Sequence, residues 1–353
     1  MTAIDTGLGY SRCRRLAMNF SGIVFFVTSF SCLCDEIQTK LLTNNAVFGS
    51  ARWCGDTDKV VWQSIGDGIA ITDLKSDSIL QLTTSPKHSA PFCSPNGDYV
   101  FFYQDASGNA VSSIELQNHR AQSVPCMDKR VFLSGDMRNA VSTQNKCSDI
   151  TLPWGTRIKV TKIDARNGYF SPIVLDWFLS NTRVLIGYRK KGAGTLGNEP
   201  TLLTALDVKT GIYQDLGEFP HLVARAHVTV NGEVVVFMSL DPRSGLPALY
   251  KFDIAQQETR EQLHLGVRSF ALSSKGAVGF LADGNREGHY LFLSKQVKSE
   301  AKRITGSLWK FGPLFSASGN QLIVMRLNHY SGQEGPEGPP VAASLFAIWT
   351  SNN

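Results

Sequence analysis

Short catalytic motifs are missing from this chain of 353 residues. It contains no Gly-x-Ser-x-Gly element, no phosphate-binding P-loop, no His-Glu-x-x-His and no close Cys-x-x-Cys pair. These absences remove the commonest sequence signs of a serine hydrolase, a nucleotide hydrolase or a zinc peptidase. An active site assembled from several distant segments leaves no local spacing, so the absences favour a protein without catalytic activity and do not exclude an enzyme.

Charge of one sign is also scarce. The chain has 35 Lys and Arg against 30 Asp and Glu, a net charge of +5. Removing residues 1 to 34, with their three arginines and one aspartate, would lower it to +3. This balance is too weak to indicate a nucleic acid partner.

No apolar run is long enough for an ordinary transmembrane helix. The longest, Phe20 to Leu33, follows Arg12, Arg14 and Arg15, an order typical of an export signal. We therefore expect residues 1–34 to be a signal peptide or N-terminal anchor, with Cys32 or Cys34 as a lipidation alternative. Residues 35–353 would be a single periplasmic or secreted domain without a further membrane span.

What the chain does contain is a repeat of about 40 to 50 residues. The clearest copy is SAPFCSPNGDYVFFY from Ser89, in which Pro-Asn-Gly forms the turn of a β-hairpin. Six further segments share the layout of strand, turn and β-rich strand, and begin at Ala51, Val131, Val174, Ala226, Phe270 and Pro313. Their turns centre on Thr57, Gly97, Asn139, Thr182, Gly232, Gly276 and Gly319.

Each hairpin is followed by a third strand and usually a fourth, which is the blade of a β-propeller. The third strands are predicted at Ile69–Asp73, Val111–Leu116, Ile158–Asp164, Leu202–Val208, Leu249–Ile254, Tyr290–Ser294 and Leu345–Trp349. The last repeat has no fourth strand, whereas Ile37–Thr43 precedes the first hairpin unpaired. We predict an all-β, seven-bladed propeller of four-stranded antiparallel blades, closed by this N-terminal strand. The third blade fits worst, because little room for a fourth strand remains between Asp164 and Pro172.

The segment PFCSPNGDYVFFYQD resembles the repeat of TolB-like bacterial propellers, a WD40-like (PD40-type) family. IAITDLKSDSILQLTT, from Ile69, is similar to the strand pair that follows it in that family. The resemblance implies the propeller fold and a binding platform in the periplasm, and implies no particular reaction.

Four cysteines lie beyond the leader. Cys126 and Cys147 stand symmetrically about the turn of the third hairpin, and antiparallel pairing would bring them close enough for a disulfide. Cys54 and Cys93 occupy equivalent positions in neighbouring repeats, and we expect them to be small core residues rather than a second disulfide or metal ligands.

Cationic and aromatic side chains precede several innermost strands, on the face that would also carry the long connections. These connections are Ser148–Thr156, Arg189–Thr201, Asp241–Pro247, Asp283–His289 and Ser331–Val341. The candidate ligand-binding residues are Lys87, His88, Lys129, Arg130, His221, Arg225, His264, Arg268, Trp309 and Lys310. They indicate an anionic ligand, such as an acidic peptide, an acidic glycan or a phosphate, although 35 basic residues make a coincidental grouping about equally plausible and burial of Trp309 is an open alternative.

Two functions remain open at this stage. The first is a binding module without catalytic activity or cofactor, whose loop-rich face engages a cell-envelope protein or an anionic ligand. The alternative is a propeller lyase or hydrolase acting on acidic oligosaccharides, by analogy with oligogalacturonate lyases. In that case His88, His221, His227 and His264 are the suspected metal ligands, and three of them should converge.

Overall fold

The structure is a computed structural model that describes residues 38–144, 147–192, 199–256, 260–285, 288–297, 299–304, 308–327 and 342–349. The expected signal segment 1–34, the connection Ser331–Val341, Ile37 and parts of two other predicted connections lie outside these residues. Within the described residues the chain forms 28 β-strands and no helix.

The chain begins with one long strand and a four-stranded antiparallel meander. Their bounds are β1 (Gln38–Val47), β2 (Arg52–Trp53), β3 (Lys59–Ser64), β4 (Gly68–Asp73) and β5 (Ser78–Gln81). In the meander β2 pairs with β3, β3 with β4, and β4 with β5. The strand order along the chain is therefore also the order in the sheet.

Five separate four-stranded sheets follow, and we call each of them a blade. The β6–β9 blade comprises β6 (Ser89–Cys93), β7 (Tyr99–Tyr103), β8 (Val111–Glu115) and β9 (Ala121–Val124). The β10–β13 blade comprises β10 (Val131–Leu133), β11 (Ala140–Ser142), β12 (Asp149–Thr151) and β13 (Arg157–Lys162). The β14–β17 blade comprises β14 (Ile173–Phe178), β15 (Arg183–Arg189), β16 (Thr201–Asp207) and β17 (Tyr213–Phe219). The β18–β21 blade comprises β18 (Arg225–Val228), β19 (Val234–Leu240), β20 (Pro247–Asp253) and β21 (Arg260–Leu265). The β22–β25 blade comprises β22 (Ser269–Leu272), β23 (Val278–Asn285), β24 (Gly288–Ser294) and β25 (Lys302–Arg303).

The last strands return to the first. They are β26 (Phe311–Phe315), β27 (Gln321–Leu327) and β28 (Ala342–Trp349). β28 pairs antiparallel with β1, from Gln38 opposite Trp349 to Val47 opposite Ala342. The prediction that the N-terminal strand completes the last repeat is confirmed. A single further pair, Ala46 with Ser64, joins β1 to β3 and makes one eight-stranded sheet of the N- and C-terminal strands. The fold is a β-propeller.

The β10–β13 blade departs from the predicted antiparallel order. Its order is β10-β11-β13-β12, and β13 runs parallel to β11, with Ala140 opposite Val160. The chain forms the outer strand β12 first, inside the segment Ser148–Thr156 that we predicted as a connection, and then turns back to insert β13. No room for a fourth strand is needed after Asp164, because that strand comes earlier in the chain.

Burial follows the position of each strand in its blade. Val100, Phe101 and Phe102 on the second strand β7 are all buried, whereas every residue of the outer strand β5 is exposed. A second strand is covered by neighbouring blades on both faces, so its sequence is continuously apolar and does not alternate. The resulting core lies between blades, as in the cluster that joins Phe101 to Ile150.

Close contact between blades requires one of the turn glycines. Gly97, in the Pro-Asn-Gly turn, has a φ of +73°. A Cβ atom there would lie 2.6 Å from Cγ2 of Thr57 in the turn of the preceding hairpin. Glycine is therefore required both by the backbone conformation and by the neighbouring turn.

Two disulfides connect parts of the propeller. Cys126 is bonded to Cys147, with Cα atoms 5.8 Å apart, and this bridge ties the start of the β10–β13 blade to the segment just before β12. Cys54 is fully buried, as we expected for a core residue, but it is also bonded to Cys93, with Cα atoms 4.8 Å apart. The expectation that this second pair would stay unbridged was wrong, because β2 and β6 approach closely enough for their cysteines to meet.

Candidate binding site at the channel mouth

The first strands of the repeats line a central channel. Strand β2 contacts both β6 and β26, and contacts also join β14 to β18, β18 to β22, and β22 to β26. Residues at the start of these innermost strands therefore lie at one mouth of the channel. The connections between second and third strands emerge on the same face, which we call the loop-rich face.

Arg52 and Arg225 face one another across this channel. Arg52 is the first residue of β2 and Arg225 the first of β18, and the strands β22 and β26 lie between them in the ring. Burial lowers the pKa of the Arg52 guanidinium, and the charge of Arg225 lowers it further. Burial also lowers the pKa of Arg225. Arg52 nevertheless remains accessible to solvent, as a side chain does when it lines a channel with protein around it.

Neither guanidinium has a carboxylate partner among the described residues, since no ion pair there includes either arginine. Nη1 of Arg52 donates to the carbonyl oxygens of Gly49 at 3.1 Å and Ala51 at 2.7 Å. Nη1 of Arg225 donates to the carbonyl oxygen of Phe270 at 3.4 Å. Two partly desolvated like charges in one channel are unfavourable unless an anion joins them. The arrangement is suited to binding one.

Two other predicted cations come together beside this pair. Arg268 directly precedes β22 and Lys310 directly precedes β26, and their charges, after burial, lower the pKa of the His289 imidazole. Arg268 is exposed. The cationic mouth therefore extends over the two repeats that separate Arg225 from Arg52.

Other candidates lie at the mouth with less to offer an anion. Arg130 forms an ion pair with Asp128 at 2.8 Å, which neutralises its charge locally. Lys87 and Lys129 are exposed. His88 packs on Phe102, with ring centroids 4.6 Å apart, and burial lowers its pKa. His221 is half-buried, with no hydrogen-bond partner at Nδ1.

Two candidates do not reach the mouth. His264 lies on the outer strand β21, packed against Phe280 and Phe292 of the next blade at 4.9 and 5.3 Å. Trp309 is 3% exposed and packs edge-on against Phe346 at 5.1 Å. Backbone hydrogen bonds in both directions between Trp309 and His289 draw this residue into the core between two repeats. Both residues are corrected to packing positions.

The suspected histidine ligands do not converge. His227 lies 3.4 Å from the carboxylate of Asp176, whose Oδ2 also accepts a hydrogen bond from the Val228 backbone at 2.8 Å. His88, His221 and His264 belong to other connections and strands. The described residues contain no group of three or more His, Cys, Asp or Glu side chains arranged to hold a metal ion.

A cleft adjoins Arg52. This pocket of about 430 Å³ lies between the β1–β2 connection and the first two strands of the β6–β9 blade. Its lining includes Arg52, Gln63 and Ser89 together with the aromatic rings of Phe48, Phe92 and Tyr103. The guanidinium and an apolar surface thus belong to one cavity.

The loop-rich face carries a second, larger pocket, of about 560 Å³. Its lining includes Lys162, Arg166, Phe170 and Lys191. Arg166 is already paired with Asp215 at 2.8 Å, and it lies over the ring of Tyr188, where burial raises the pKa of the phenol to about 12. The position of this pocket supports the loop-rich face as the recognition surface.

The sequence pattern identified Arg225 but not Arg52. The pattern covers residues that precede the innermost strands, whereas Arg52 lies inside the short strand β2. A signal was present, because a charged residue between Ala51 and Trp53 interrupts an otherwise apolar strand.

Comparison with known proteins supports the fold alone. No protein-family model matches the chain. No curated protein matches its sequence. Among solved structures, the Cps50 (Swd1) β-propeller domain of Myceliophteria thermophila matches with a TM-score of 0.54 and 13% identity, over 89% of this chain and all of that domain. TolB from Acinetobacter baumannii matches at 0.42 with 10% identity, over 84% of this chain and 61% of its own. An oligogalacturonate lyase in complex with manganese matches at 0.47 with 12% identity, over 89% of this chain and 93% of its own.

The described part of the chain includes no helix that is both long and apolar enough to span a membrane.

Proposed function

We propose that this protein is an exported, seven-bladed propeller that binds an acidic segment of a cell-envelope protein at the mouth of its channel and catalyses no reaction. The observation that carries the proposal is the pair Arg52 and Arg225, two guanidinium groups within electrostatic reach of each other and without a carboxylate partner among the described residues. A carboxylate between them would relieve their repulsion and form charge-assisted hydrogen bonds with both.

The blade count is seven if the eight-stranded sheet is counted as two blades. One half contains the β26–β27 hairpin, β28 and β1, and the other half is the meander β2–β5. Only the pair Ala46 and Ser64 joins the two halves, and each half begins with a hairpin like those of the five separate blades. Five blades and these two make seven.

Export agrees with the two disulfides, because such bonds persist in oxidising compartments outside the cytosol. The cationic segment ahead of Phe20–Leu33 supplies the expected signal. Fractionation of cells that produce the full chain tests this part. Recovery of the reduced, full-length protein in the cytosol alone would contradict it.

Binding is tested with a fluorescently labelled, glutamate-rich peptide, titrated against the wild type and the variants Arg52→Gln and Arg225→Gln. Loss of a charge-assisted hydrogen bond typically costs about 1.5–3 kcal/mol, so each variant should weaken binding by roughly 10-fold to 100-fold. Arg120→Gln is a matched control, because Arg120 is exposed at the turn between β8 and β9.

Crosslinking in envelope extract identifies the physiological partner, and the same two substitutions should abolish the crosslink. Equal affinity of the wild type and both channel variants for the acidic peptide would overturn the proposal. So would turnover of an acidic oligosaccharide by the wild type that the Arg52 and Arg225 substitutions abolish.

A further inference from the structure

The cleft beside Arg52 combines charge with a rigid apolar surface, and any inference about its ligand rests on the proposed anion site. Phe48 forms one wall of the cleft and is 37% exposed, a large apolar surface for a residue at a polar channel mouth. Its ring packs edge-on against Phe311 at 5.6 Å, which holds it in place. The opposite wall includes Phe92, stacked on Phe101 at 5.1 Å. The apolar surface is therefore formed before any ligand arrives.

The guanidinium of Arg52 is held in a similar way. Its Nη1 is fixed by the two carbonyl oxygens of Gly49 and Ala51. Nε and Nη2 have no hydrogen-bond partner among the described residues, and Arg52 lines the same cleft as the aromatic rings. These two nitrogens form the edge of a guanidinium that binds a carboxylate through two parallel hydrogen bonds.

The ligand must therefore present a carboxylate and an apolar group close together. Neighbouring side chains of an extended peptide point to opposite sides, so an internal acid and an apolar residue on the same side are two residues, or about 6.6 Å, apart. At the carboxyl end of a chain, the carboxylate and the last side chain are attached to the same Cα atom. A phosphate has no apolar group to place in the cleft.

We propose that this cleft binds the free carboxyl terminus of a polypeptide whose last residue is apolar. The terminal carboxylate pairs with Nε and Nη2 of Arg52 and faces the charge of Arg225 across the channel. The last side chain lies between Phe48 and Phe92. Capture of a terminal carboxylate is an established mode of peptide recognition, and it uses charge and an apolar pocket together.

Four N-terminally labelled decapeptides test the inference by fluorescence anisotropy. They share one sequence and end in a phenylalanine with a free carboxylate, the same phenylalanine as an amide, a serine with a free carboxylate, or an internal glutamate followed by the amide. We expect the first to bind at least about 10-fold more tightly than each of the others. Arg52→Gln should remove the preference for the free acid over the amide, Phe48→Ser the preference for phenylalanine over serine, and Arg120→Gln neither.

Each outcome separates this inference from the function on which it rests. If the amide or the internal glutamate peptide binds as tightly as the free acid, or if the free acid fails to bind, the inference is wrong. If the internal glutamate peptide binds equally well and still depends on Arg52 and Arg225, the proposed anion site stands without a preference for chain ends. If no peptide responds to either arginine substitution, both proposals fail. Unfolding temperatures of the variants, measured in the same samples, show whether each one is folded.

Discussion

Cys54 and Cys93 join the innermost strands of two neighbouring sheets through a disulfide that closes a loop of 39 residues. The two strands share no ladder of backbone hydrogen bonds, because β2 pairs with β3 and β6 with β7. One covalent bond thus holds the edge of the channel next to Arg52, where backbone pairing between blades is absent from the described strands.

Removing this disulfide should destabilise the propeller more than removing the other one. Chain-entropy reasoning assigns about 4 kcal/mol to a loop of this size and about 3 kcal/mol to the 21-residue loop closed by Cys126 and Cys147. We expect Cys54→Ala/Cys93→Ala to lower the urea midpoint more than Cys126→Ala/Cys147→Ala. Reductant should lower the midpoint of the wild type below that of either variant. A wild-type midpoint unaffected by reductant would argue against both bridges.

The closing strand β1 offers a test with adjacent residues. Leu42 is 7% exposed and packs in the core cluster that also includes Ala343 and Leu345, whereas Leu41 is 46% exposed. Leu42→Ala should cost about 2–4 kcal/mol of unfolding free energy, because it opens a cavity where the ends of the chain meet. Leu41→Ala should change it by no more than about 0.5 kcal/mol. Equal effects in urea unfolding would show that β1 does not pack as described.

Much of this fold could be predicted from the sequence, because its hairpins carry local signals. The turn residues and the continuously apolar second strands identify each repeat, and the unpaired segment before the first hairpin identified the closing strand. The order of β12 and β13 was not readable in this way. Both segments have strand-like sequences, and the choice of neighbour for β11 depends on a crossover that no local pattern specifies.

The candidate site was predicted only in part, for a related reason. Counting back from each innermost strand assumes that every outer strand ends at the same distance from it. β21 continues to Leu265, four residues before β22 begins, so His264 remains in the outer strand. Trp309 is captured by backbone pairing with His289. Arg225 and Arg268 fit the assumption, and they are at the mouth.

The unpaired arginines should cost stability in the absence of a ligand. Removing one of two like charges relieves repulsion, so we expect Arg225→Met to unfold at a temperature equal to or above that of the wild type. Inorganic phosphate should raise the unfolding temperature of the wild type by a few degrees, since it binds only the folded state. The effect should vanish in Arg225→Met and persist in Arg120→Gln. A phosphate effect of the same size in all three proteins would point to a general salt effect.

Stability should also fall as the pH drops through the range just below 6.5. The pKa values of His88 and His289 are lowered in the folded protein, chiefly by burial, and for His289 also by the charges of Arg268 and Lys310. As the pH falls below about 6.5, the unfolded chain takes up protons on these imidazoles before the folded chain does. The stability present above pH 6.5 is therefore lost progressively toward the lowered pKa values, ahead of the acid range in which carboxylates titrate.

Thermal unfolding between pH 7.5 and 5.5 measures this dependence. His289→Gln should flatten it, because one of the two titrating groups is removed. Arg268→Gln should flatten it less, since it removes only one of the charges that lower the pKa of His289. His119→Asn is the control and should leave the slope unchanged, because His119 is exposed in a turn with a φ of +54° that asparagine tolerates. A wild-type unfolding temperature that is constant over this range would show that neither imidazole is kept neutral by the fold.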